Sequence, residues 1–188
     1  CIQGLLMDMA KNNVNSMVVD YTNGFLPEQL EPEFNAKVNP KTDLVAHRPL
    51  GLNPFERQTQ SYAGIQLTDK SHDVAGRIAS VFNSVYSTIG EQQLPTMIRV
   101  IEEGLDLYGD DYSFEKMLSD LAEDGKVGEA LANKLSPMVK ANIFSTEKSK
   151  DGWDQIYTSH DSKTRLIQLA SLPRDVWRLA SEFILWDL

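Results

Sequence analysis

The sequence predicts an α/β fold in which helix dominates by residue count, and three observations carry that prediction. First, Ser16 to Phe25 runs three apolar residues, Met17, Val18 and Val19, straight into Asp20, with a turn at Asn23-Gly24. Second, Arg165-Leu166-Ile167-Gln168-Leu169-Ala170 reads as another strand, and Pro173 then opens a helix bearing Val176, Trp177, Ala180, Phe183, Ile184 and Leu188. Third, apolar stripes at helical spacing fill residues 69–145 between them. Two α/β pieces, 1–57 and 151–188, thus flank a large, mostly helical insertion over 58–150.

A continuous apolar run suits a strand buried on both faces of a parallel sheet. The acid at its carboxyl end falls where open α/β sheets place ligands. Upstream, Ile2, Leu5, Leu6, Met9 and Ala10 recur at helical spacing, so residues 1–11 read as an amphipathic helix packing on the sheet. Asn12 and Asn13 end it, because both tolerate the left-handed conformation at a helix stop. The order helix, strand, turn requires an earlier strand, so the chain is expected to begin in the middle of a fold. Leu26 to Thr42, with Pro27, Pro32 and Pro40, reads as loop with one helical turn at Pro27 to Leu30. Leu44 to Arg48 reads as a second short strand closed by Pro49, followed by a turn at Leu52-Asn53-Pro54-Phe55. Residues 58–68 show no clear period and read as irregular.

The insertion begins with a stripe of Val74, Ile78, Val81, Phe82 and Val85, closed near Gly90. Pro95 then sits where a helix start tolerates proline, ahead of Met97, Ile98, Ile101, Leu105 and Tyr108. Ser113 is placed to cap a short helix carrying Phe114, Met117, Leu118 and Leu121. Val127, Leu131, Leu135, Met138 and Val139 make a fourth helix, broken or restarted at Pro137. Links this short fold such helices into a bundle. Trp153 to Tyr157 and Thr164 to Leu172 read as strands with a turn near Ser162.

Composition bounds the function classes. Of 188 residues, 41% are hydrophobic and 24% charged, which is ordinary soluble globular material rather than a disordered tail. No apolar run reaches the length of a membrane span, and nothing at the start reads as a signal peptide. The single cysteine, Cys1, cannot form an internal disulfide, fits a reducing cytoplasm, and has no partner cysteine for a zinc site. With 27 acidic against 18 basic residues the net charge is −9, so the chain as a whole does not attract nucleic acid. An acidic block between Glu102 and Glu129 and a basic excess from Lys134 to Arg178 read as solvated helix faces.

The stretches VVDYTNGF, LNPFERQ and RLIQLASLPRDVWRLASEFILWDL, with a helical block between the last two, resemble the P-loop motor ATPases of the HerA and FtsK type. The closest likeness is to the HerA-like ATPases of phosphorothioation-dependent DNA restriction, the DndH/DptH group. The resemblance implies a partial RecA-like sheet. In that plan the phosphate-binding loop precedes a helix such as residues 1–11, and a strand ending in Asp follows, as at Asp20. An Asn-Pro turn comes after the next strand, as at Asn53-Pro54, and residues 164–188 lead toward the Walker B acids. The implied cofactors are ATP and Mg2+ in the parent protein. The implied partners are double-stranded DNA, other restriction-complex subunits and further copies in a ring, with no membrane. Asp20 and Tyr21 are the residues placed near the nucleotide, with Gly24 beside them. The plainer reading of Asp20 is an acid capping the turn that follows. Arg174 and Arg178 are placed where a motor could reach into a neighbouring site, or as surface arginines beside Asp175. No Gly-x-x-x-x-Gly-Lys-Ser/Thr occurs, and no strand ending in Asp-Glu follows Leu188. The segment alone is therefore expected neither to bind nor to hydrolyse ATP appreciably.

Two other classes compete. His47, His72-Asp73 and Asp106 or Asp110 follow the order of the metal-dependent HD phosphohydrolases, whose imidazoles and carboxylates gather divalent ions. His160-Asp161, in a turn, has less support. A helical interaction module needs no chemistry at all, and Trp153, Trp177 and Trp186 would be its anchors or simply core.

Overall fold

Apolar side chains alternating across a small parallel sheet give it two buried faces. The computed structural model of the chain describes residues 2–86, 88–144 and 163–187. Strand β1 (Ser16–Asp20) and strand β2 (Lys41–Leu44) flank strand β5 (Thr164–Gln168), and both run parallel to it. Val18 lies opposite Leu166, Val19 opposite Ile167 and Asp20 opposite Gln168. Val18 and Leu166 face helices α1 (Ile2–Lys11) and α2 (Pro32–Val38), packing with Leu6, Phe25, Leu30, Phe34 and Val38. Met17, Val19 and Ile167 face the other way, into the main core. That core is built by α3 (Ser71–Val85), α4 (Gln93–Tyr108), α5 (Phe114–Glu123), α6 (Gly125–Lys140) and α7 (Arg174–Asp187). The chain is α/β and helix-rich, and the insertion shares one apolar cluster with β5 and α7.

The local chemistry explains the elements. Ser113 caps α5 by accepting from the Lys116 amide at 3.3 Å. At α3 the Asp73 carboxylate accepts from the Lys70 amide at 2.9 Å, so a first-turn acid satisfies an otherwise orphaned donor. Pro95 occupies the first turn of α4, where its missing amide costs nothing.

Several expectations need correction. The second strand lies at Lys41–Leu44, not Leu44 to Arg48. His47 and Arg48 donate their amides back to the Leu44 carbonyl, closing a turn there. The strand is polar in composition, and its Asp43 pairs with Arg165 instead of packing in the core. The short helical turn at Pro27–Gln29 is present, but the loop around it also holds α2. Pro32 starts α2, Phe34 and Val38 bury one face four residues apart, and Asn39 stops it at a φ of 47°. Helix α6 runs through Pro137 unbroken, with Leu135, Met138 and Val139 buried on either side of it. Residues 58–68 are not irregular; they form an antiparallel hairpin, β3 (Thr59–Tyr62) and β4 (Ile65–Thr68). Helix α1 buries Gln3 and Leu6, whereas Ile2 and Leu5 of the expected stripe stay exposed. The expected strand at Trp153 to Tyr157 and the turn near Ser162 lie outside the described residues.

Candidate functional site

Asp20 ends β1 at the carboxyl edge of the sheet and is 4% exposed. Its Oδ1 accepts from the Thr22 amide at 2.8 Å and the Thr22 hydroxyl at 2.7 Å. Its Oδ2 accepts from the Phe25 amide at 2.9 Å and from Gln168 Nε2 at 2.7 Å. An ionised carboxylate has about four acceptor positions. All are filled here by the chain itself. Burial pushes the carboxyl up, but the bonds from the Thr22 side chain and backbone, the Phe25 backbone and Gln168 outweigh it and hold the group below its ordinary value.

Gln168 passes the constraint on. While its amide nitrogen donates to Asp20, its Oε1 accepts from the Ala170 amide at 2.8 Å. The Asp20 carbonyl also accepts from the Leu169 amide at 2.7 Å. The loop leading from β5 into α7 is therefore tied to the turn leaving β1. Asp20 is a positioning residue of this edge.

Tyr21 points outward from the same turn. Its ring stacks on Trp177 of α7 with centroids 4.7 Å apart and planes 6° from parallel, and it remains 52% exposed. Gly24 donates its amide to the Thr22 hydroxyl at 3.3 Å, which is turn geometry. The structure thus brings Asp20, Tyr21 and Gly24 together. Arg174 and Arg178 flank Trp177 on α7. Among the described residues, neither bonds to Asp20 or Tyr21. Sequence reasoning missed Thr22 and Gln168. Thr22 carried a signal, since an Asp two residues before a Thr favours a side-chain turn. Gln168 carried only its polarity at the end of an apolar strand.

The histidines are placed apart. His47 is exposed in the turn after β2. His72 Nδ1 lies 3.4 Å from Glu102 Oε2. Asp73 serves the cap of α3, Asp106 accepts from Ser71 and lies 4.0 Å from Arg57, and Asp110 belongs to the short turn Gly109–Asp111. Among the described residues, no group of three or more His, Cys, Asp or Glu side chains could hold a metal ion. Cys1, Trp153, His160 and Asp161 lie outside the described residues. Trp186 is 51% exposed near the end of α7. Among the described residues, no helix is long and apolar enough to cross a membrane. Set beside protein-family models and curated proteins, the chain matches none.

Proposed function

We propose that this chain is the part of an ATP-driven double-stranded DNA motor that follows its phosphate-binding loop. The plan is that of the HerA and FtsK-type P-loop ATPases, and the setting is phosphorothioation-dependent restriction in bacterial defence. One observation supports the reading best. An amphipathic helix leads into a parallel strand whose terminal acid sits at the carboxyl edge of the sheet, beside the strand and helix that close the chain. Ligands of open α/β sheets bind at that edge.

The residues present do not hold the nucleotide by themselves. Asp20 has no acceptor position left for Mg2+, and the sequence has no glycine-rich cradle for phosphates. In this reading Asp20 fixes the turn that presents Tyr21 toward the nucleotide. The cradle, the magnesium acid, the ring of subunits and the DNA contacts belong to the parent protein.

The gene and its product test this. Codons immediately upstream of Cys1 are expected to encode a glycine-rich loop ending in Lys-Ser or Lys-Thr. The product carrying that loop is expected to hydrolyse ATP, and faster when double-stranded DNA is added. An upstream sequence without the loop, or a loop-bearing product with no ATP hydrolysis, overturns the reading.

A further inference from the structure

The β3–β4 hairpin stands out from the fold in a way that its own chemistry does not explain. Its strands join at Ala63-Gly64, with φ of 48° and 83°, the backbone of a tight two-residue hairpin turn. Every residue of both strands is exposed. The register sets Tyr62 opposite Ile65 and Gln60 opposite Leu67, so these four share one face of the ribbon. Thr59, Thr68, Ser61 and Gln66 share the other. The first face is apolar yet open to water, with Tyr62 65%, Ile65 64% and Leu67 57% exposed. A two-stranded hairpin is marginal in water unless a further element covers its apolar face.

The base of the ribbon is firmly held. Asp69 accepts from the Gln58 amide at 3.2 Å and from Arg77 at 2.6 Å, and Arg77 also reaches the Glu56 carbonyl at 2.8 Å. The ribbon is therefore launched from the start of α3 in a defined direction. Among the described residues, no third strand pairs with it.

Its charge pattern points to the occupant. Residues 58–68 contain no Asp, Glu, Lys or Arg, and no Pro. Exposed strands that must stay single are normally guarded by just those residues. The chain carries −9, so two copies repel over most of their surfaces, and the repulsion is weakest where a surface has no charge. A single apolar face is also self-complementary across a two-fold axis. We infer that a second copy of this chain seats its own ribbon on this one, apolar face to apolar face, covering Tyr62, Ile65 and Leu67 of both. This rests on the hairpin alone and does not depend on the motor reading.

Sedimentation equilibrium of the 188-residue chain over a range of concentrations tests it. The expected result is a monomer–dimer equilibrium that tightens as salt screens the net charge. Ile65→Lys puts like charges on both facing surfaces and is expected to weaken dimerisation about tenfold or more. Ser61→Lys, on the opposite face, is expected to change it less than about twofold. Tyr62→Ser removes contact area without adding charge and is expected to weaken the dimer with the circular dichroism unchanged. A chain that stays monomeric at every concentration overturns the inference. So does a dimer indifferent to Ile65→Lys and Tyr62→Ser, or a ribbon covered instead by another part of a longer product or by a different protein.

Discussion

The carboxyl edge of the parallel sheet and the β3–β4 ribbon are both short β structure, and they solve opposite problems. At the sheet edge a buried acid, Asp20, is held by Thr22, Phe25 and Gln168, and apolar helices cover both faces of the strands. On the ribbon the backbone pairs but no side chain is buried. Removing a partner from the first region strands buried donors. Removing a side chain from the second uncovers nothing. The difference separates β structure specified by its surroundings from β structure that brings its own apolar face to a future partner.

The comparison is broken most forcefully at Asp20. Asp20→Ala leaves the Phe25 amide and the Gln168 amide without their acceptor, and is expected to cost about 3 kcal/mol in urea unfolding. An equivalent truncation on the ribbon, such as Gln66→Ala, is expected to cost less than about 0.5 kcal/mol in the dilute chain. Equal losses at the two sites would erase the distinction.

A pH series sharpens it. The folded-state pKa of Asp20 is lowered, so its stabilisation is complete above the unfolded carboxylate value of about 3.9 and is lost as pH falls through the folded value. Unfolding measured from neutral pH downward should therefore show an acid limb that Asp20→Asn flattens. An acid limb unchanged in that variant would place the acid sensitivity elsewhere.

Tyr21→Ala is expected to cost about 1 kcal/mol through loss of the Trp177 stack, because the exposed ring gains little from burial. Tryptophan fluorescence should shift with it. The smallest effect lies at the tip of the ribbon. Ala63 holds a φ of 48°, which asparagine accepts more readily than alanine, so Ala63→Asn should stabilise the hairpin by about 0.5 kcal/mol. Amide exchange at Tyr62 and Ile65 would slow slightly.

The same contrast governs what could be seen in the sequence. Strand β1 was legible because burial on both faces leaves a continuous apolar run, and α3, α4, α5 and α7 because each buries one stripe at helical spacing. Ser113 was legible as a cap because its role is local. The strand β2 slipped by three residues because its pairing falls on the polar Lys41, Thr42 and Asp43 while the apolar Val45 is buried just beyond it. The hairpin escaped because its turn is Ala-Gly rather than Asn-Gly and its alternation answers to no core within the chain. Of the site, the position of Asp20 was readable but its partner Gln168 was not, since 148 residues separate them.

Asp20 is an ionised latch, filled by its own chain, that binds β1 to β5 at the sheet edge. Carbon-13 NMR titration of its carboxyl carbon tests that directly. A midpoint below about 3.9 that rises toward this value when Thr22 is changed to alanine is the predicted result. A midpoint at or above the ordinary value, indifferent to Thr22, would contradict it.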